Sequence, residues 1–272
     1  MGALLVAVFW PLNWFLPDAL RATAYLFFPL WLGYILLVDA VVLARAGSSI
    51  LSRSRRDFLL LFVISAPAWW LFEVINWRTR NWEYLGTEVF STLEYHVLCT
   101  ISFSTVMPAV FETAELAGTF RWMKRFANGP RVPASPRWRR GLFLIGVAWL
   151  ALVLVWPRYF YPLVWGALVL MLEPINHRLG RRTLLASVAQ GDWRPVASLS
   201  AGAMLCGFFW ELWNYYSYPK WVYHTPGAEF WHVFEMPLLG YLGYLPFAWE
   251  LFALHSLVAP GGAAGRFGRS GP

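Results

Sequence analysis

The hydrophobic and polar positions of this chain alternate in long blocks. Apolar stretches with few charges are long enough to cross a bilayer, and short polar connections separate them. A helix satisfies its own backbone hydrogen bonds in lipid, so the blocks predict an all-α, polytopic membrane helical bundle. Eight segments are predicted, at about 2–16, 24–44, 58–76, 90–112, 141–156, 159–176, 195–216 and 230–257.

Composition supports a membrane protein and leaves no room for a sizeable soluble domain. Hydrophobic residues make up 58% of the chain and charged residues 14%. The mean hydropathy is +0.49. These values are typical of integral membrane proteins.

The basic residues predict an orientation. Most of the 22 Lys and Arg residues follow the second, fourth, sixth and eighth segments. Because an excess of Lys and Arg marks the cytoplasmic side, we expect a multi-pass protein of the inner (cytoplasmic) membrane with both termini in the cytoplasm. The net charge of +7 then suits anionic lipid headgroups, and nucleic acid is not an expected partner.

Two short words occur twice. The word Glu73–Trp77 recurs as Glu211–Tyr215, and Pro108–Glu112 recurs as Pro246–Glu250, both at an offset of 138 positions. The duplication predicts two four-segment repeats. Four segments are an even number, so the repeats are parallel and related by an axis along the membrane normal. The predicted boundaries are 1–118 and 141–258 for the repeats, 119–140 for a basic cytoplasmic linker and 259–272 for a flexible cytoplasmic tail.

The repeated carboxylates are the candidate acid–base groups. An ionisable side chain inside a membrane segment is costly and marks a functional site by default. A carboxyl group in such a bundle can give a proton to a bound molecule or take one from it. The candidates are Glu73, Glu211, Glu112 and Glu250.

Further polar and aromatic residues are expected to bind the substrate beside these groups. Asn76 and Asn214 follow their Glu by three positions, on the same side of the helix. The remaining candidates lie in the outer connections and the segments after them: Glu94, His96, His232, Glu235, Trp82, Trp221 and Tyr223. At the offset of 138, Glu94 matches His232, which makes this pair the one mismatch of the predicted site.

The last segment is expected to be one helix with a polar stripe. Its polar and small residues follow one another at steps of three or four and should face the protein interior. They are His232, Glu235, Leu239, Gly243, Pro246 and Glu250.

Other interpretations of these residues stay open. The polar groups could simply bridge helices by hydrogen bonds, and Trp and Tyr are common at membrane interfaces. We predict no metal site and no cofactor, since no Glu-x-x-His word lies within a predicted helical segment. A proton-coupled transporter or channel is one alternative function, and a non-catalytic subunit of a membrane complex is another.

The order of motifs in each half resembles the small, repeat-built membrane lycopene cyclases of carotenoid biosynthesis. A Glu late in one helix is followed by a Trp-x-Tyr word, a Gly, and a helix with Pro and Glu. The matching residues are Glu73, Trp82-Glu-Tyr84, Gly86 and Pro108…Glu112, then Glu211, Trp221-Val-Tyr223, Gly227 and Pro246…Glu250. The family carries Pro-x-Glu-Glu where this chain has Pro-Ala-Val-Phe-Glu and Pro-Phe-Ala-Trp-Glu.

The resemblance implies acid–base chemistry on a long isoprenoid without redox turnover, as in a cyclase or isomerase. Together with the buried carboxylates, it predicts an intramembrane enzyme. The expected partners are membrane lipids and a hydrophobic, carotenoid-like small molecule. A homo-oligomer or a complex with another membrane protein is left open.

Overall fold

The structure, a computed structural model, describes residues 1–16, 23–259 and 261. Helices dominate this part of the chain, and two short antiparallel ladders accompany them. In the first half the elements are α1 (Gly2–Phe15), α2 (Thr23–Ala46), α3 (Ile50–Arg53), α4 (Arg55–Thr79), β1 (Trp82–Leu85), α5 (Thr92–Phe103) and α6 (Val106–Gly118). The second half contains α7 (Pro136–Val155), α8 (Pro157–Phe160), α9 (Val164–Arg178), α10 (Leu184–Ala189), α11 (Arg194–Tyr215), β2 (Lys220–Tyr223), β3 (His232–Val233), β4 (Met236–Pro237) and α12 (Tyr244–Val258).

The helices are compatible with an integral membrane protein. Five helical stretches among the described residues are long and apolar enough to cross a bilayer. They are Ala24–Ala46, Arg55–Thr79, Thr92–Gly118, Pro136–Val155 and Arg194–Tyr215. The eight-segment count and the repeat arrangement stay predictions.

The fourth predicted segment is divided by a short break between α5 and α6. The Ser65 hydroxyl donates to the Phe103 carbonyl at 2.6 Å and accepts from the Met107 N–H at 2.9 Å, so it satisfies backbone groups on both sides of the break. Pro108 lies in the first turn of α6. A proline is tolerated there, because its missing N–H would have no partner inside the helix.

The prediction of one helix over 230–257 is wrong. The β3–β4 hairpin and a 3₁₀ helix over Leu238–Gly243 occupy its first part, and the α-helix begins only at Tyr244. Pro246 again lies in the first turn. The polar stripe from His232 to Glu250 is therefore not a helical face.

The sixth predicted segment is also irregular. A 3₁₀ turn covers Tyr161–Leu163, and α9 contains a kink where Trp165 and Gly166 leave helical geometry. The φ angle of Gly166 is 156°, which favours glycine. The kink exposes backbone N–H groups to a neighbouring side chain, as described below.

Aromatic side chains fill the core between the halves. α11 packs along α6 and against α12, and α1 packs on α2. Trp31, Trp213, Phe72, Phe111 and Phe247 are among the largest fully buried side chains. They join α2, α11, α4, α6 and α12 in one hydrophobic cluster.

The predicted connections are partly changed. A 3₁₀ helix, Arg121–Phe126, lies inside the predicted linker over 119–140, and α7 already begins at Pro136 within that range. The predicted tail over 259–272 lies, except for Ala259 and Gly261, outside the described residues.

Candidate functional site: two carboxylates beside an aromatic slot

A two-stranded ladder joins the two halves of the chain. β1 and β2 pair antiparallel, with Trp82 facing Tyr223 and Tyr84 facing Trp221. The Trp-x-Tyr word of each half therefore pairs with the other one. The ladder places Trp82, Trp221 and Tyr223 of the predicted site, together with Tyr84, in one small area.

Asn76 and Asn214 hold the two strands to the ends of α4 and α11. The Asn76 Nδ2 donates to the Trp82 carbonyl at 2.8 Å, and its Oδ1 accepts from the Trp82 N–H at 3.3 Å. In the same way, the Asn214 Nδ2 donates to the Trp221 carbonyl at 2.7 Å, and its Oδ1 accepts from the Trp221 N–H at 2.9 Å. Each side-chain amide thus makes the two backbone hydrogen bonds that a residue of a neighbouring strand would make. These contacts are structural, and they orient the Trp-x-Tyr word that begins at Trp82 or Trp221.

Glu73 lies one helical turn before Asn76 and is buried. Its Oε1 accepts three hydrogen bonds: from the Tyr84 hydroxyl at 2.6 Å, from the Trp69 Nε1 at 2.9 Å and from the Trp82 Nε1 at 3.1 Å. One carboxylate oxygen is therefore surrounded by one phenol and two indoles.

Glu211 occupies the corresponding place on α11 and is fully buried. Its Oε1 accepts from the Tyr223 hydroxyl at 2.7 Å and from the Tyr244 hydroxyl at 2.8 Å. The Trp221 Nε1 donates to the Tyr223 hydroxyl at 2.8 Å. The Glu211 Oε2 has no hydrogen-bond partner among the described residues.

The ladder tyrosines stay protonated. Burial, and after it the neighbouring Glu73 carboxylate, raises the pKa of Tyr84 well above its usual range. Burial and the Glu211 carboxylate do the same to the pKa of Tyr223. Both hydroxyls therefore keep their protons and can donate a hydrogen bond to the neighbouring Glu.

Two adjoining cavities form an aromatic slot beside the carboxylates. The first cavity has a volume of about 180 Å³ and the second about 430 Å³. The walls common to both are Trp69, Trp82, Trp165, Tyr223, Met236 and Tyr244. We call the first cavity, which extends toward α2 and α5, lobe 1, and the second, which extends toward Tyr161 and the 3₁₀ helix before α12, lobe 2.

The phenols and indoles line the slot, and the two carboxylates lie behind them. Tyr84 lines lobe 1, while Tyr223 and Tyr244 line both lobes. A bound molecule would thus touch the tyrosines whose hydroxyls donate to Glu73 and Glu211. Apolar walls with a few convergent polar groups are typical of small-molecule sites.

Glu94 and His96 lie outside this arrangement. The Glu94 Oε1 accepts from the Tyr25 hydroxyl at 2.6 Å, which links the first turn of α5 to α2. His96 is exposed, and its ring stacks on Trp70. The predicted role of both residues in one cluster with Glu73 and Asn76 is not supported by their contacts.

His232 and Glu235 belong to the β3–β4 hairpin and not to a helix. His232 is exposed on β3. Glu235 forms an ion pair with Lys220, with 2.5 Å between its Oε1 and the Lys220 Nζ. The predicted pairing of Glu94 with His232 is therefore wrong, because one begins a helix and the other lies in a strand.

Glu250 has a structural environment. Its Oε1 accepts from the backbone N–H of Gly166 at 2.8 Å and of Leu168 at 2.9 Å. These are the groups that the kink in α9 leaves free. Glu250 is fully buried and does not line the slot. Its contacts argue for stabilising the kink and against a direct role with a substrate.

Glu112 lies in a different place again. It is fully buried in α6, and its carboxyl group lies beside that of Asp39. Close by in sequence, Glu115 forms an ion pair with Arg53. Neither lobe of the slot includes Glu112 in its walls. Glu112 is thus separate from the slot.

Two other buried acids, Asp39 and Glu173, cap short helices. The Asp39 Oδ1 accepts from the Leu51 N–H at 3.1 Å, at the start of α3. The Glu173 carboxylate accepts from the N–H groups of Leu184 and Leu185 at 3.1 and 2.7 Å, at the start of α10. Both satisfy N–H groups that a helix start leaves free.

Sequence reasoning missed Trp69, Tyr244 and Trp165. Trp69 had a usable signal, since it precedes Glu73 by four positions and so lies on the same helix face. Tyr244 had none, because a helix was expected to pass through its position. Trp165 reaches the slot through the kink at Gly166.

The described residues contain no group of three or more His, Cys, Asp or Glu side chains that could hold a metal ion. Comparison with known proteins gives no relative: no family model, curated protein or solved structure matches the chain. The interpretation of the site therefore depends on its own geometry.

Proposed function

We propose that this membrane protein binds a long, lipid-soluble molecule of isoprenoid or carotenoid type in the aromatic slot and isomerises or cyclises it by proton transfer. One observation carries the proposal: two buried carboxylates each accept a hydrogen bond from the hydroxyl of a tyrosine that lines an apolar slot. An isoprenoid matches these walls, since it offers only apolar surface and double bonds.

The chemistry follows from the pairing of carboxyl and phenol. A protonated Glu gives its proton to the Tyr oxygen as the Tyr hydroxyl gives its own to a carbon of a substrate double bond. The resulting carbocation faces the indole rings of the slot, whose π faces attract positive charge. Another carbon of the cation then loses a proton, and the phenol passes a proton back to the carboxylate. Substrate and product are then isomers, and the protein is unchanged.

We further propose that the two halves are copies of one unit, related by a two-fold axis along the membrane normal. The ladder register supports this arrangement, because an axis through the facing pair Glu83 and Val222 would exchange Trp82 with Trp221 and Tyr84 with Tyr223. The matching contacts of Asn76 and Asn214 give further support. A slot with two lobes around such an axis suits a long substrate with two similar ends.

In this proposal the ladder faces outward and the basic connections face the cytoplasm. The carboxylates then lie near the outer surface of the membrane, and the inner acids Asp39 and Glu173 lie near the cytoplasm beside the basic connections.

Replacing the carboxylates by amides tests the function. Gln keeps the size of Glu and an acceptor oxygen but cannot give up a proton in the same way. We expect Glu211→Gln to abolish formation of a product from extracted isoprenoid lipids, measured by chromatography and mass spectrometry. Glu88→Gln, on an exposed loop position, is the matched control. Full activity of a folded Glu211→Gln protein would contradict the proposal.

A further inference from the structure

The two carboxylate sites differ in one donor. At the offset of 138 positions, Trp69 on α4 matches Gly207 on α11, and Val106 matches Tyr244. The large side chain therefore comes from the helix of the carboxylate in one half and from a different helix in the other.

The contacts show that these residues exchange places. Trp69 donates its Nε1 to Glu73 from one turn earlier on α4. On α11 the equivalent position is Gly207, and a Cβ atom added there would collide with the ring of Tyr244. Tyr244 thus fills the space that a Trp at position 207 would need, and its hydroxyl donates to Glu211. The donor is an indole at the first site and a phenol at the second.

This exchange changes what each site can do chemically. An indole N–H only donates a hydrogen bond, whereas a phenol oxygen both donates and accepts. A phenol can therefore pass a proton between a carboxyl group and a substrate. The Glu73 site has one such hydroxyl, Tyr84, beside two indoles. The Glu211 site has two, Tyr223 and Tyr244, on the same carboxylate oxygen.

Two hydroxyls on one carboxylate suit an isomerisation. Such a reaction adds a proton at one carbon and removes one from another, so two separate points of contact are needed. Tyr223 and Tyr244 both line the walls common to the two lobes.

We infer that proton transfer occurs at the Glu211 site, with Tyr244 as a second catalytic hydroxyl, and that the Glu73 site holds the other end of the substrate. This inference rests on the proposed function. In the reaction, the Tyr244 hydroxyl gives its proton to a double-bond carbon and takes the proton of Glu211. The cation then loses a proton from a second carbon to the Tyr223 oxygen as the Tyr223 proton moves to Glu211. The proton count closes, and no electron acceptor is needed.

Lycopene, an acyclic isoprenoid polyene, serves as the probe. The full chain is reconstituted in lipid vesicles made in D₂O, and deuterium on recovered polyene carbons reports proton transfer. Quenching of tryptophan fluorescence reports binding, because five Trp residues line the slot. Tyr244→Phe and Tyr84→Phe are a matched pair, since each removes one phenol hydroxyl from one carboxylate. Tyr34→Phe, whose hydroxyl contacts Thr113 away from the slot, is the control for loss of a buried hydroxyl.

We expect Tyr244→Phe to lower the saturated rate of deuterium incorporation about 100-fold while lycopene still quenches the fluorescence. Tyr84→Phe should instead raise the KM, with the saturated rate changed by less than about threefold. If Tyr244→Phe fails to fold, Tyr223→Phe removes the other hydroxyl and should give the same loss of rate.

Equal losses of saturated rate in Tyr84→Phe and Tyr244→Phe would overturn the inference and leave the proposed function standing. Lycopene binding without any deuterium incorporation by the unmodified protein would overturn proton transfer to this substrate class, and the inference with it. The two failures are therefore distinguishable.

Discussion

At the scale of single residues, each site depends on an Asn that acts as backbone. Asn76 and Asn214 bond both the N–H and the carbonyl of a Trp in the ladder. These contacts fix the position of the Trp-x-Tyr word relative to the Glu on the same helix. The Tyr hydroxyl can then reach the carboxylate. Burial alone would not set this geometry.

We expect Asn76→Ala to lower the free energy of unfolding by about 1–3 kcal/mol, because it leaves buried backbone groups of Trp82 without partners. Unfolding of the purified protein by SDS titration measures the change. Asn128→Ala, at an exposed position, is the control. Equal stability of the two variants would show that the ladder does not depend on this amide.

The repeated words of the sequence identify a large part of the candidate site. Glu73, Asn76 and Trp82, and with them Glu211, Asn214 and Trp221, do come together in the structure. Each of these sets follows from local order along the chain: a helix end, a short loop and a strand. Tyr244 could not be predicted in this way, because its contact with Glu211 joins residues 33 positions apart.

At the scale of elements, the connections that follow α4 and α11 are ordered structure and not loose loops. β1 and β2 lie far apart in sequence and pair across the two halves. Sequence periodicity does not predict such a ladder, since each strand has only four residues. Hydropathy also does not reveal the hairpin at His232–Pro237, because an apolar hairpin and an apolar helix can have the same mean hydropathy. The prolines at 108 and 246 were the better signal, because both lie where a helix begins.

A disulfide tests the ladder and its register. Glu83 and Val222 are facing residues, and facing Cα atoms of an antiparallel pair lie within reach of a disulfide. We expect Glu83→Cys with Val222→Cys to oxidise almost completely, in a background in which Cys99 and Cys206 are replaced by Ala. Mass spectrometry of proteolytic peptides measures the yield.

The control pair is Leu85→Cys with Val222→Cys, which is displaced by two residues and lies at about 7–8 Å. This separation is beyond ordinary disulfide geometry. Similar yields for both pairs would contradict the register.

At the scale of the whole molecule, the buried acids form two groups with different roles. Glu73 and Glu211 lie beside the aromatic slot. Glu250 and Glu173 instead bond backbone N–H groups at a helix kink and a helix start. Of the four acids selected from the repeats, the geometry therefore favours Glu73 and Glu211 for chemistry, and Glu250 for stabilising the fold.

The two halves of the chain also differ in helix geometry and in side-chain contacts. α9 is kinked at Gly166 and receives Glu250, whereas α2 continues as one helix and Glu112 has no such partner in the described part of the chain. The exchange of Trp69 for Tyr244 is a second difference. In the proposed two-fold arrangement, these differences suit a protein that holds a long molecule at one end and reacts with it at the other.

Lipid analysis of gently purified protein tests whether the aromatic slot holds a lipid-soluble isoprenoid. Ala24→Trp fills lobe 1, Ala228→Trp fills lobe 2, and Ala151→Trp, on the exposed face of α7, is the control. We expect a stoichiometric isoprenoid in the unmodified protein and in Ala151→Trp, and its loss from both slot-filling variants. The same lipids in all four proteins, or phospholipids alone, would contradict binding of an isoprenoid in the slot.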